Sequence, residues 1–242
     1  MDICYICSLG FGFIPTVNDY KIVIPYVTRG DVPENGFEVY SVSTHSWKKI
    51  EMTILKDIQF VGDPINTNGS MFWFATQRGL ASHGKEYTNV IISFCLAMDE
   101  VRLIPPPPLS RNDVARLTVY ENRLAIFHYS SALNTGNFSI DLWVMKEGIG
   151  GSWSKILTCG PYPLFVRPMT IWRNQIVCDV STKCAVEGDG ENDEVGGIDS
   201  LLFDLTSKEV KVLFSGTCSI LRDVYSYVES LVTISNIHTA KH

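Results

Sequence analysis

Cys4 and Cys7 have the C-x-x-C spacing of half a zinc site, which is the clearest hint of metal chemistry in the sequence. A structural zinc site needs four ligands and a second closely spaced pair, which the other five cysteines do not supply. The acidic segment 189–194 resembles the start of a calcium loop, but Glu194 occupies the position that needs glycine. We therefore expect no metal site, ordinary strand cysteines, and a solvated acidic loop.

Residues able to form a catalytic centre occur in no recognisable spacing. The five histidines fit no nucleophile-elbow or metalloprotease pattern, and Gly10-x-Gly12 opens a strand pattern rather than the helix of a dinucleotide site. A pair of glycosidase carboxylates would be assembled in space and leaves no sequence signal, so a hydrolase stays an alternative. Otherwise the sequence predicts a protein that is not an enzyme, with no catalytic residues and no cofactor.

Composition indicates a folded protein in a reducing compartment. The 242 residues are 45% hydrophobic and 19% charged, and no apolar run reaches the ~20 residues of a membrane span. The net charge of −6 comes from the acidic segment between Glu187 and Asp199, and no basic stripe is present. Seven scattered cysteines and the lack of a secretory signal fit unpaired thiols. We expect a cytoplasmic or nuclear protein without nucleic-acid or membrane partners.

Four segments of the chain align as copies of one strand–turn–strand unit. The equivalent positions near the end of each copy are Trp47, Val101, Trp153 and Val210. They are separated by 54, 52 and 57 residues. An earlier turn in each copy contains an asparagine, namely Asn18, Asn68, Asn122 and Asn174. Asparagine tolerates the positive φ of tight hairpins, so its recurrence has a backbone cause.

Each copy is predicted to form four short strands, which in the second copy span 63–67, 70–76, 90–96 and 100–104. Such a sheet has two apolar faces, so its copies must stack on one another. The fixed period favours an all-β propeller of about four blades over a large β-sandwich, which needs no period. Pro105–Pro108 is expected to cross from the second blade to the third. The five tryptophans are expected mostly to pack between blades, rather than to form a ligand cage.

Short motifs recur in a fixed order from about Gly10 to Val232. They are Gly10-Phe-Gly-Phe13, Asn18-Asp-Tyr-Lys21, Phe37-Glu-Val-Tyr-Ser41, Ser46-Trp47, Asn68-Gly69, Phe72-Trp73, Ile92-Ser-Phe94, Asp141-Leu-Trp-Val-Met-Lys-Glu147, Ser152-Trp153, Phe203-Asp204-Leu205 and Tyr227-Val-Glu-Ser-Leu231. As an ordered set they resemble the plant F-box proteins with an F-box-associated, kelch-like (type 1) β-propeller domain.

The resemblance implies a binding function within a ubiquitin ligase. In that family an amino-terminal F-box docks on the Skp adaptor of a cullin-based SCF ligase, and the propeller recruits the protein to be ubiquitinated. We expect this chain to begin part-way into the propeller, without the F-box and without the blade that precedes the Gly10 motif. We expect an F-box-associated propeller over 8–234, short tails at 1–7 and 235–242, and an incomplete ring whose outer blades expose edges or apolar faces.

In a propeller, the loops between the second and third strands of all blades lie on one face. Here they span 28–36, 77–89, 130–137 and 181–198, and they are long, polar and unlike one another, as a recognition surface is. On composition alone, we expect the contacts with a protein partner to include Arg29, Arg78, His83, Lys85 and Tyr87.

Three functional hypotheses are compatible with these features. The first is the substrate-recognition part of an F-box ubiquitin ligase subunit, whose partner is the target protein. In this hypothesis the Skp adaptor and cullin bind only if an F-box is supplied. The second is a shortened partner-binding fragment with no role in ubiquitination. The third is a propeller hydrolase, which would need carboxylates or a metal at the central channel.

Overall fold

The computed structural model describes residues 2–5, 9–29, 35–52, 58–81, 84–109, 113–130, 138–146, 151–162, 165–181 and 198–216. These ranges contain 17 β-strands and no helix. The strands form four antiparallel sheets in chain order, which confirms the all-β fold predicted from the repeat.

The bounds of the strands follow the four copies of the repeat. Sheet 1 contains β1 (Asp2–Tyr5), β2 (Gly10–Ile14), β3 (Asp19–Arg29), β4 (Asn35–Ser41) and β5 (Ser46–Glu51). Sheet 2 contains β6 (Ile58–Thr67), β7 (Ser70–Ala81), β8 (Gly84–Cys95) and β9 (Glu100–Ile104). Sheet 3 contains β10 (Asp113–Tyr120), β11 (Arg123–Ser130), β12 (Phe138–Met145) and β13 (Trp153–Tyr162). Sheet 4 contains β14 (Val166–Trp172), β15 (Gln175–Ser181), β16 (Ile198–Asp204) and β17 (Val210–Gly216).

The strands of sheets 2, 3 and 4 pair with their chain neighbours, so each of these sheets is a four-stranded meander. In sheet 1, β1 and β2 pair with different parts of β3 and together act as one interrupted inner strand. Residues 2–5, which the sequence placed in an amino-terminal tail, thus belong to the sheet through β1. The predicted tail at 235–242 lies outside the described residues.

The four sheets form an open arc. The inner strands contact one another in the order β2, β6, β10 and β14. Buried side chains form clusters between sheets 1 and 2, 2 and 3, and 3 and 4, which we call interfaces 1–2, 2–3 and 3–4. Among the described residues no cluster joins sheet 4 to sheet 1. The predicted incomplete ring is therefore confirmed.

Positive backbone φ angles confirm the repeat at both of its turns. The asparagines of the first turn, Asn18, Asn68, Asn122 and Asn174, have φ of 50, 50, 57 and 62°. In the last turn of each sheet, the residue two positions before the aligned one has φ of 51, 55, 63 and 64°, at His45, Asp99, Gly151 and Lys208.

The sequence alignment is off by one residue in sheet 2. Asn68 is the first residue of its two-residue turn, whereas Asn122 and Asn174 are the second residues of theirs. Gly69, with φ of 70°, is therefore the position equivalent to Asn122 and Asn174.

Interface 1–2 is filled by aromatic side chains. The ring of Phe37 lies 5.0 Å from that of Trp73 and 5.4 Å from that of Phe94, and all three are fully buried. The glycines of the Gly10-x-Gly12 motif face this interface, because a Cβ at Gly10 would meet Met71, and one at Gly12 would meet Leu96 at 2.5 Å. Glycine at both positions lets β2 approach sheet 2.

The Asn18–Lys21 motif has a structural role at each polar residue. The carboxylate of Asp19 accepts hydrogen bonds from the Ser41 hydroxyl at 2.6 Å and the Ser43 backbone N–H at 2.7 Å. Lys21 crosses interface 1–2, where its ammonium donates to the Leu96 carbonyl at 2.7 Å and pairs with Asp99 at 2.6 Å. The motif therefore ties the first turn to its own sheet and to the next one.

The tryptophans follow the packing prediction only in part. Trp73 is fully buried in interface 1–2, and Trp143 and Trp153 pack in interface 2–3. Trp47 and Trp172 are 56% and 46% exposed, so the prediction is wrong for them. Trp153 packs against sheet 2 and donates Nε1–H to the Pro105 carbonyl at 2.8 Å. Trp47 has the same repeat position in sheet 1, where no described sheet lies against it, and it stacks on Tyr40 instead.

Candidate functional site

Of the connections between second and third strands, the structure describes most of the β7–β8 hairpin of sheet 2. β7 and β8 continue pairing through Gln77–Thr88 and Arg78–Tyr87 to Ala81–Gly84. The prediction that 77–89 is a loop is therefore wrong for most of its length. Most of these residues are polar because the hairpin extends past the neighbouring strand ends of sheet 3, so its sequence lacks the apolar alternation of a packed strand.

The projection of the hairpin can be measured against sheet 3. Ser130, the last residue of β11, is equivalent to Gln77, since each stands eight residues after the aligned turn position. β7 continues for four residues beyond Gln77. At ~3.3 Å per residue, the hairpin extends roughly 13 Å past the end of β11.

The structure brings three of the five candidate contact residues together. Arg78 and Tyr87 are direct cross-strand partners, and Lys85 is two residues from Tyr87 on β8. Tyr87 is 54% exposed. Its phenol is therefore available to a partner.

A fourth candidate lies in another sheet. Arg29 ends β3 in sheet 1 and pairs with Asp2 of β1. His83 lies outside the described residues. The candidate contact residues stay a prediction, and the strand register of this segment was not part of it.

The inner strands of the four sheets enclose a concavity of about 820 Å³, the central channel. Phe11, Ile65, Leu117 and Ile171 lie on β2, β6, β10 and β14 and contribute to its wall. Asp63 is the only carboxylate among the described residues that line it, in a bulge of β6 between Val61 and Ile65. Glycosidase catalysis uses two carboxylates on opposite sides of the reacting bond. The channel wall described here supplies one.

Two arginines occupy equivalent positions on the inner strands of sheets 3 and 4. Arg116 pairs with Phe127 and Arg167 with Asp179, and both partners stand five residues after the aligned asparagine. Burial of the Tyr129 phenol raises its pKa above the ordinary value, although the positive charges of both guanidinium groups act to lower it. This cluster lies at the strand ends that face the hairpin side of the arc. A bulge between Pro168 and Thr170 shifts the register and hides the equivalence in sequence.

Arg167 belongs to a buried polar network in sheet 4. Its guanidinium donates to the Asp179 carboxylate at 2.8 Å, and Asp179 is only 3% exposed. The hydroxyl of Ser200, on β16, donates to the other carboxylate oxygen at 3.1 Å. The network gives the buried carboxylate its partners and fixes the arginine, because a buried charge is tolerated only when paired.

Within the described ranges, no group of three or more His, Cys, Asp or Glu side chains is arranged to hold a metal ion. Cys178 of the zinc hypothesis lies buried in β15. Cys7, Cys184 and the acidic segment 189–194 lie outside the described residues. The part of the chain that the structure describes also contains no helix that meets the length and hydropathy of a membrane span.

A sheet with a divided inner strand and three four-stranded meanders, stacked face to face around a central channel, define an incomplete β-propeller. Comparison with known families agrees. Residues 2–234 match the model of the F-box associated beta propeller domain. The chain belongs to this family.

The curated relatives are F-box proteins of Arabidopsis thaliana. The chain is 26% identical over 170 residues to the protein named "Putative F-box protein At3g10430", covering 67% of this chain and 44% of the relative. It is 25% identical over 172 residues to F-box protein At3g17320, covering 62% of this chain and 40% of that protein. The chain thus spans about two fifths of the length of these relatives. A solved structure, Drosophila Semaphorin 2a, matches with a TM-score of 0.37 at 11% identity, over 89% of this chain and 48% of that one, a likeness too low to bear on the fold.

Proposed function

We propose that this chain is the substrate-recognition module of an SCF-type ubiquitin ligase subunit and that it acts by binding a target protein rather than by catalysis. The observation that carries the proposal is the projecting β7–β8 hairpin on a domain of the F-box associated family. In propellers the repeated sheets stabilise the fold, and the variable connections between strands carry the residues that bind.

The hairpin has the chemistry of a protein-binding surface. Arginine and tyrosine are enriched among the residues that dominate binding energy at protein interfaces. Arg78 and Tyr87 stand opposite each other, and the exposed phenol of Tyr87 offers both apolar area and a hydrogen bond. The central channel, with a single described carboxylate, supports the hydrolase hypothesis less well.

The unpaired thiols of Cys95, Cys159 and Cys178 are compatible with a reducing environment. They support our proposal that the protein is cytoplasmic or nuclear. In this proposal the Skp adaptor and cullin engage only when an F-box is joined to the chain.

The test starts from a partner captured by a photo-crosslinking side chain at position 87 and then purified. Its affinity for the chain is measured before and after the paired change Arg78→Glu and Tyr87→Ala. We expect binding at least about tenfold weaker, a loss of ~1.4 kcal/mol or more. The matched control changes Arg123→Glu and Trp172→Ala at the first turns of sheets 3 and 4, on the opposite face, and should alter affinity less than about twofold.

A reconstituted ligase decides between the two binding hypotheses. With an F-box fused to the chain, the partner should be ubiquitinated by the SCF components, and the hairpin variant should lose this product. A partner that binds through the hairpin but is never ubiquitinated would favour the fragment with no ubiquitination role. Loss of binding in the opposite-face control, with the hairpin variant unaffected, would refute the assigned surface.

A further inference from the structure

Interface 3–4 contains an apolar cavity of about 220 Å³ between the two sheets, which is open to solvent on one side, where Val210 of its wall is half exposed. Its wall exposes no polar atom. The side chains that form this wall include Ile140, Cys159, Tyr162, Cys178, Val180 and Phe203. An apolar cavity of ~150 Å³ binds benzene, so this volume has room for an aromatic ring.

The repeat explains why this interface has a gap. Cys178 stands four residues after Asn174, and Trp73 stands four residues after the equivalent Gly69. Cysteine in sheet 4 therefore occupies the position of a fully buried tryptophan in sheet 2. The side chain loses a double ring, while the backbone pairing of the two positions, with Leu201 and with Ile92, is the same.

The facing sheet is also reduced in size. Ile140 pairs with Tyr129, seven residues after Asn122, and Phe37 pairs with Pro25, seven residues after Asn18. Isoleucine in sheet 3 thus replaces the phenylalanine that contacts Trp73 in interface 1–2 at 5.0 Å. The cavity takes the place of a pair of aromatic side chains in contact.

We propose that the cavity binds a small neutral aromatic molecule. The missing Phe and Trp rings define its shape, and lining side chains that lack dispersion contacts would regain them on binding. A charged ligand would be desolvated without a partner, which disfavours it strongly.

The two thiols act as neutral wall rather than as nucleophiles. Burial raises the pKa of Cys178 and of Cys159 above their ordinary values. The Tyr162 hydroxyl is hydrogen-bonded to the Cys159 thiol, and burial raises the pKa of Tyr162 to about 12. Binding is therefore non-covalent.

The experiment titrates the purified chain with toluene and with naphthalene, followed by methyl NMR shifts and by thermal stability. Saturable binding with shifts at Ile140 and Val180 is expected, whereas benzylammonium, which is charged at pH 7, should not bind. Cys178→Phe fills the cavity from sheet 4 and Ile140→Phe fills it from sheet 3. Each should weaken toluene binding at least about tenfold while preserving or raising the melting temperature.

The matched control is Cys95→Leu, which enlarges a cysteine that does not line the cavity and should leave toluene affinity within about twofold. Absence of saturable toluene and naphthalene binding to the wild-type chain would overturn the proposal. The gap in interface 3–4 would then be a packing defect or a space filled by the chain itself. Equal affinity in both filling variants, or equal binding of benzylammonium, would overturn it as well. The wild-type titration tests the proposal even where a filling variant does not fold.

Discussion

Replacing Gly12 by alanine tests whether glycine is required for the approach of β2 to sheet 2. A Cβ at this position would lie 2.5 Å from Leu96 Cδ1, 2.6 Å from Asn66 Nδ2 and 3.1 Å from Met71 Cε. Ordinary carbon contacts are ~3.5–4.0 Å, so Leu96 would have to move by roughly 1 Å or more. Leu96 and Met71 are fully buried, and a buried side chain has little space to turn into.

The magnitude is set by two opposing terms. Overpacking a core position costs ~1–3 kcal/mol, and the loss of glycine freedom in the unfolded chain returns ~0.4–1 kcal/mol. We expect Gly12→Ala to lower the free energy of unfolding by about 1–2 kcal/mol, or the melting temperature by roughly 2–8 °C for a chain of this length. Urea unfolding followed by tryptophan fluorescence reports it, because Trp73 lies in the same interface.

A double-mutant cycle with Leu96→Ala isolates the contact. Leu96→Ala alone creates a cavity and should cost ~2–5 kcal/mol. In the double variant the new methyl group enters space that the leucine vacated. The double variant should therefore lose less stability than the sum of the two single variants, by about 1 kcal/mol or more. Costs that add within ~0.5 kcal/mol would refute the steric reasoning.

Four further outcomes are expected. Trp153→Phe removes the hydrogen bond to the Pro105 carbonyl and should cost ~0.5–1.5 kcal/mol in urea unfolding, whereas Trp47→Phe, at the equivalent but exposed position, should cost under ~0.5. Arg167→Leu removes the ion pair of the buried Asp179 carboxylate and leaves its hydrogen bond from Ser200, and it should lower the free energy of unfolding by ~3–5 kcal/mol. The double variant Arg167→Leu with Asp179→Leu should recover much of that loss, and no recovery would contradict the prediction. The Asp204 carboxylate accepts hydrogen bonds from the Ser207 backbone N–H, the Gln175 side-chain amide and the Thr206 backbone N–H, which lower its pKa from 3.8 to about 2. Its stabilising effect is therefore present above about pH 4 and lost as the pH falls toward 2. Across that range Asp204→Asn should lose less stability than the unchanged chain. Purified Skp adaptor should bind the chain only after an F-box is fused to it, and adaptor capture by the 242-residue chain alone would contradict the proposed division of roles.

The turns were predictable from sequence because their cause is local. Positive φ at Asn122 and Asn174 is a property of the residue and its turn, and it carries the period of the repeat. The order of the strands within each sheet is then determined, since a short turn forces neighbouring strands to pair. Fold and copy number were therefore accessible without coordinates.

The features that the sequence did not reveal depend on neighbours distant in the chain. Trp47 and Trp153 share a repeat position, but only Trp153 has a sheet against its ring. The pairing of Arg78 with Tyr87 needs the register of two long strands, and a polar composition does not distinguish a projecting hairpin from a loop. Burial and register are set by tertiary contacts, so these residues required the structure.

The position of the hairpin within the arc bears on how it would bind. It extends from sheet 2, whose two faces are both packed: Trp73 and Ile92 face sheet 1, and Phe74 and Ile91 face sheet 3, all nearly or fully buried. A hairpin anchored in a sheet held on both sides has its direction fixed at the base. A partner therefore has less of it to order on binding, and pre-organisation of this kind increases affinity by lowering the entropic cost of association. Sheet 2 is thus better suited to present the proposed binding hairpin than sheet 1 or sheet 4, each of which has only one face against a described neighbour.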